Sequence, residues 1–135
     1  MFNDEQVESE IKALIDDFVK AYPKDDIDRY LSFWDRSPDL LVFGTGEKWL
    51  GWEDYKSAPA LDRQQYDKIE MTYDWLKVNS QGSTAWLATE VKLKITIGNE
   101  LITLPAWGTM VLVKTDERWS IIQAHISSPS MGDST

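Results

Sequence analysis

The chain has 135 residues, the size of one ordinary domain, with 42% hydrophobic and 12% aromatic residues and 7 Trp, which supplies a core and excludes a disordered acidic tail. Fourteen Lys+Arg against 23 Asp+Glu leave a net charge of −9, so neither nucleic acid nor an anionic membrane is expected as a partner. With no Cys and a single His, His125, the chain has no disulfide framework, no thiolate nucleophile and no multi-histidine metal site, and neither a metal nor a cofactor is expected.

The segment Met1 to Glu10 is acidic and lacks an apolar stretch, and no apolar run approaches membrane-spanning length, so a soluble, cytoplasmic protein is expected. Val7, Ile11, Leu14, Ile15, Phe18 and Tyr22 recur every three or four residues and predict a helix that Pro23 ends. A second short helix is signalled by Asp25 and Asp26, either of which can cap it, followed by Ile27, Tyr30, Leu31 and Trp34. Asp39 to Phe43 and Glu47 to Leu50 read as a small hairpin turning at Gly44-Thr45-Gly46. Gly51 to Tyr66 predicts a helix broken at Pro59, with Trp52, Tyr55 and Leu61 inward.

From Lys68 the texture changes to β-branched and aromatic strands, with turns at Asn79 to Ser83, Gly98-Asn99 and Asp116-Glu117. Four antiparallel strands follow, and helices before sheet make an α+β domain with the helices on one face of a curved sheet. The domain is expected over residues 1–129, with 130–135 a frayed polar tail.

Two-residue turns at Gly98-Asn99 and Asp116-Glu117 fix the strand registers and sort side chains by face. One face holds Leu87, Thr89, Val91, Gly108, Met110, Ile121, Gln123, His125 and Ser127. The other holds Trp86, Glu90, Lys92, Trp107, Thr109, Val111, Ile122, Ala124 and Ile126. The first is smaller and drier, with Gly108 and Ala106 leaving room for a cavity, and is assigned to the helices. The second, carrying Trp86, Glu90, Trp107, Val111, Ile122 and Ile126, has the composition of a homodimer interface.

The block Gly108 to Ser127, with a threonine at 109, the charged turn Asp116-Glu117-Arg118, Trp119 and then His125-Ile126-Ser127, resembles the nuclear transport factor 2-like superfamily and, within it, the SnoaL-like proteins. Trp49-Leu50-Gly51-Trp52 is similar to the start of that family's third helix. The resemblance implies a cystatin-like cone: a curved antiparallel sheet covered on its concave face by N-terminal helices, assembled as a homodimer. It implies no single function, because the fold serves isomerases, dehydratases, hydrolases and plain binding or oligomerisation modules. Where the ketosteroid isomerases place an Asp base, this chain reads Val42-Phe43-Gly44-Thr45-Gly46. Where the kinase association domains carry pocket arginines, it has Val91 and Met110.

His125 is the candidate catalytic residue, the one side chain whose ordinary titration lies near neutrality. Trp34, Phe43, Trp49 and Tyr55 supply aromatic surface for a flat ligand, with Met110, Gln123 and Ser127 as further lining. Glu90 and Lys92 share a strand face and are expected as a rim ion pair. Three functions follow: binding of a small apolar or aromatic ligand, cofactor-free acid/base catalysis by His125, or an oligomerisation module.

Overall fold

The computed structural model describes residues 2–129. The first helix, α1 (Glu5–Lys20), begins where Asp4 Oδ1 accepts hydrogen bonds from the backbone N–H groups of Gln6 and Val7 at 3.0 and 3.2 Å. It buries Ile11, Ile15 and Phe18 along one stripe and stops before Pro23. A 3₁₀ turn (Lys24–Asp26) leads into α2 (Ile27–Leu31), and neither of the adjacent aspartates caps it through its side chain, contrary to expectation. Trp34 falls beyond α2 and bridges in parallel to Ile121.

The hairpin β1 (Leu41–Gly44) and β2 (Glu47–Leu50) leads to two short helices, α3 (Trp52–Tyr55) and α4 (Ala58–Arg63). Gly51, with φ of +92° and an added Cβ only 3.3 Å from the Pro38 carbonyl oxygen, is the joint between them that no other residue fits without strain. Pro59 lies in the first turn of α4, where its missing N–H is harmless.

Four long strands follow: β3 (Lys68–Gln81), β4 (Thr84–Ile97), β5 (Glu100–Thr115) and β6 (Arg118–Ser127). They form one six-stranded sheet in the order β2-β1-β6-β5-β4-β3, antiparallel except that β1 runs parallel to β6. The β4–β5 register is the expected one throughout, from Ile97 opposite Glu100 to Thr84 opposite Val113. The β5–β6 register is as expected from Thr115 opposite Arg118 to Leu112 opposite Ile121, and then shifts, so that Val111 faces Gln123.

Ile122 is the extra residue of a bulge, and every β6 side chain after it changes face. Ala124 and Ile126 therefore lie on the helix side, while Gln123 and His125 lie on the outer side and are exposed. This overturns the helix-side placement of Gln123, His125 and Ser127, the last standing opposite Trp107, and the outer placement of Ala124 and Ile126. Ile121 shows why the phase breaks here: its N–H donates to the Phe33 carbonyl and its C=O accepts from the Asp35 N–H, both at 2.8 Å. That clamp holds the first half of β6 to residues 33–35, while the second half pairs with β1.

The core lies between α1 and the concave face, where Phe18, Ile15, Leu87, Val91 and Met110 meet around Gly108. Only about 20 Å³ remains open there, and an added Cβ at Gly108 would lie 3.3 Å from Thr89 Cγ2. The expectation that Gly108 makes room for the cavity does not hold, because α1 fills that room. A second bulge, at Asp74 of β3, brings Lys92 within 3.6 Å of the Asp74 carboxylate, and that pair replaces the expected Glu90–Lys92 pair.

Candidate functional site

The cavity lies beyond the C-terminal end of α1, where the sheet continues without a helix over it. Its floor is Ile69, Leu93, Ile95, Leu104 and Ala106, its wall is formed by Tyr22, Tyr30, Trp34 and Tyr55, and α4 closes one side with Pro59 and Arg63. The volume is about 580 Å³, the size of a pocket for a drug-sized molecule, and the mouth carries Glu47, Leu61, Asp62 and Tyr66.

Its wall is one continuous aromatic ladder. Ring centroids are 5.5 Å apart for Tyr22 and Tyr30, 6.0 Å for Tyr30 and Trp34, 4.7 Å for Trp34 and Tyr55, and 5.5 Å for Tyr55 and Trp49. The hydroxyls of Tyr30 and Tyr55 are 3.3 Å apart and share one hydrogen bond. Burial pushes the phenols of Tyr22 and Tyr55 well above the ordinary value, so both stay neutral donors through any physiological pH.

Arg63 is the buried charged residue of this site, with only 4% of it exposed. Its Nε donates to the Tyr22 carbonyl at 3.0 Å and its Nη1 to Asp62 at 3.0 Å, and its guanidinium carbon lies 3.7 and 4.5 Å from the ring centroids of Tyr22 and Tyr30. Burying such a charge is costly unless its donors are satisfied, and the aromatic faces and the Tyr22 carbonyl, at the end of α1, meet part of that need. Two buried donors among the described residues make no hydrogen bond in good geometry: Arg63 Nη2 and Trp34 Nε1. Both belong to residues that line this cavity.

Of the residues singled out in the sequence, the fold brings Trp34, Trp49 and Tyr55 to the cavity, and Ser127, opposite the outer-face Trp107, borders its edge. Phe43 touches its mouth, but its ring lies 5.8 Å from that of His125, its partner across the β1–β6 pair. Met110 sits under α1 in the packed core and does not line the cavity. Gln123 and His125 line a different hollow, a groove of about 280 Å³ on the outer face beside Lys77, Asn79, Trp86 and Thr109. Trp86, Glu90, Trp107 and Val111 take the outer face as expected, with Trp86 partly covered by the Phe2 ring at 5.4 Å, whereas Ile126 does not and Ile122 is the part-buried bulge residue.

Sequence reasoning missed Arg63 and turned α4 inside out. Leu61, expected inward, is 62% exposed at the mouth, while Pro59 and Arg63, four residues apart on one helical face, are buried. That i, i+4 spacing is the signal that was available; hydrophobicity alone points the other way.

The sequence profile of the SnoaL-like domain matches residues 11–131. Among solved structures, one from Streptomyces avermitilis, provisionally named a dehydratase of the nuclear transport factor 2-like family, superposes with a TM-score of 0.85 at 15% identity, covering 94% of this chain and 99% of that one. A nuclear transport factor 2-like superfamily protein from Salmonella enterica serovar Typhimurium gives 0.83 at 16% identity, covering 96% and 98%. A Nostoc punctiforme protein of unknown function with a cystatin-like fold gives 0.78 at 15%, covering 97% of each chain. A search of curated protein sequences finds no match. Such identities carry the fold alone, and the profile match carries the family: the chain belongs to the SnoaL-like family, with the α+β, cystatin-like architecture of the nuclear transport factor 2-like superfamily.

Proposed function

We propose that this protein binds a small, mostly apolar or aromatic molecule in the cavity between α4 and the open half of the sheet. The observation that carries the reading is the contrast within one concave face: the half under α1 is packed to about 20 Å³, while the half beyond it keeps about 580 Å³ walled by aromatic rings. A hollow of that size with apolar walls and few, converging polar groups is what ligand recognition requires. His125 faces away from it, so the reading gives His125 no part in the site.

Naphthol is a fitting probe, being flat and neutral. Trp34 and Trp49 line the cavity and report its arrival through their fluorescence. The expected result is saturable quenching and a melting temperature that climbs with naphthol concentration, by about 2.7 kcal/mol of stabilisation at a hundredfold excess over Kd. No quenching and no shift at millimolar naphthol contradicts the proposal.

We also propose that the outer face pairs with a second copy of the chain. Trp75 and Trp107, 44% and 57% exposed, stand there with the part-buried Trp86 and Val111, an apolar patch of the kind that marks an interaction surface. Light scattering should give the mass of two chains for the wild type and of one for Trp107→Ser. A wild-type monomer at micromolar concentration overturns this.

A further inference from the structure

We infer that the cavity is selective for a small aromatic or alicyclic monocarboxylic acid, whose carboxylate docks on Arg63 Nη2 while its ring lies along the Tyr30, Trp34 and Tyr55 ladder. This rests on the ligand-binding reading above and adds the chemical class.

The Arg63 guanidinium has three nitrogens in different surroundings. Nε is committed to the Tyr22 carbonyl and Nη1 to Asp62, and the rings of Tyr22 and Tyr30 pack on the group. Nη2 makes no hydrogen bond in good geometry and has the Tyr30 hydroxyl near the group, on a side chain that is 5% exposed. Native interiors satisfy such donors with protein, water or ligand. The other groups in the wall have the same polarity. Trp34 Nε1 is buried without a partner and can only donate. The Tyr30 and Tyr55 hydroxyls, sharing one hydrogen bond, need one proton between them and hold two.

No buried side-chain acceptor is left over among the described residues. The buried groups left without a partner are donors, and they are complementary to a group that only accepts, such as an ionised carboxylate. The acids at the mouth set the charge limit. Asp62, 42% exposed, already draws on Arg63, and Glu47 faces the same opening, so a single negative charge on an apolar body fits and a dianionic phosphate does not.

The test compares naphthoate with its uncharged isostere naphthamide by calorimetry, on the wild type, Arg63→Met and Trp34→Phe. Naphthoate should bind the wild type about tenfold or more tightly than naphthamide, because hydrogen bonds to charged groups are the strong ones. Arg63→Met should abolish that preference, bringing the two compounds to equal affinity, and Trp34→Phe should reduce it by a smaller factor. The wild-type ratio stands without any variant, so a fold lost in Arg63→Met does not shelter the inference. Equal wild-type binding of the two compounds overturns the acid selectivity and leaves the ligand-binding reading intact. A preference that survives Arg63→Met overturns the role of Arg63. Failure of both compounds to bind the wild type overturns both readings together.

Discussion

Ala106 and Gly108 are two residues apart on β5, on the same concave face, and the structure predicts opposite fates for bulky side chains there. Ala106 is buried at 1% exposure but borders the 580 Å³ cavity, whereas Gly108 borders a space of about 20 Å³ beneath α1. Ala106→Phe adds a ring of about 100 Å³, which the cavity can take without displacing a neighbour. Newly buried apolar area of about 100 Å² at about 25 cal/mol/Å² contributes about 2.5 kcal/mol as an upper bound, and the rotamer freedom lost offsets about 0.5–1 kcal/mol of it. A gain of about 1–2 kcal/mol remains, and for a chain of 135 residues each kcal/mol moves the melting temperature by about 3–4 °C. Gly108→Leu drives side-chain atoms into Thr89 and Ile126, whose carbons already stand 3.3 and 3.5 Å from where its Cβ would be. Overpacking of that kind costs about 1–3 kcal/mol. Thermal unfolding by circular dichroism reads both, and naphthol titration should show affinity lost in Ala106→Phe by about tenfold or more as the ring occupies its space. If Ala106→Phe melts below the wild type by as much as Gly108→Leu does, the space over Ala106 is not open and the site is misplaced.

His125→Ala should leave naphthol affinity within about twofold and cost less than about 1 kcal/mol, since the ring is exposed and its described contact is one tilted aromatic pair with Phe43; a large loss of binding would return His125 to the site. Tyr22 and Tyr55 have folded-state values raised by burial, so their contribution to stability is whole below the unfolded phenol value of about 10 and is lost as pH climbs from there through the folded values. Chemical denaturation at stepped alkaline pH should therefore show stability constant to about pH 10 and falling beyond it, and Tyr55→Phe should make that fall shallower. Glu10 is held below the ordinary carboxylate range by hydrogen bonds from Gln6 and then from Trp119 Nε1 at 2.7 Å, with Lys114 nearby. Its contribution is present above the unfolded value and disappears as pH falls through the folded one, so Glu10→Gln should lower stability at pH 7 and flatten the acid limb of the stability profile below about pH 4.5.

Much of this architecture is legible in local chemistry. The helical stripe of α1, the positive-φ turn at Asp116-Glu117 and the Gly98 hairpin each specify their element from residues that lie within it, and the registers follow from the turns. The face of His125 is not legible in that way. Nothing in Ser120-Ile121-Ile122-Gln123 marks a bulge, because the bulge answers to Phe33 and Asp35, which clamp Ile121 from far away in the chain. Arg63 escapes for a related reason. Composition places an arginine outside and Leu61 inside, and only the Tyr22 carbonyl and the Tyr22 and Tyr30 rings, brought in by the fold, reverse that. The four aromatics picked for a ligand all border the cavity, Trp34, Trp49 and Tyr55 in its wall and Phe43 at its mouth, since large rings near a helix–strand junction have few other places to go.

The central claim is that the open half of the concave face, and not the outer groove beside His125, is where a ligand sits. Crystals soaked with a brominated naphthol would decide it through the anomalous signal of the bromine. One peak is expected, enclosed by Trp34, Tyr55, Arg63 and Ala106. A peak in the groove between Trp86, Thr109 and His125, with none in the cavity, would contradict it.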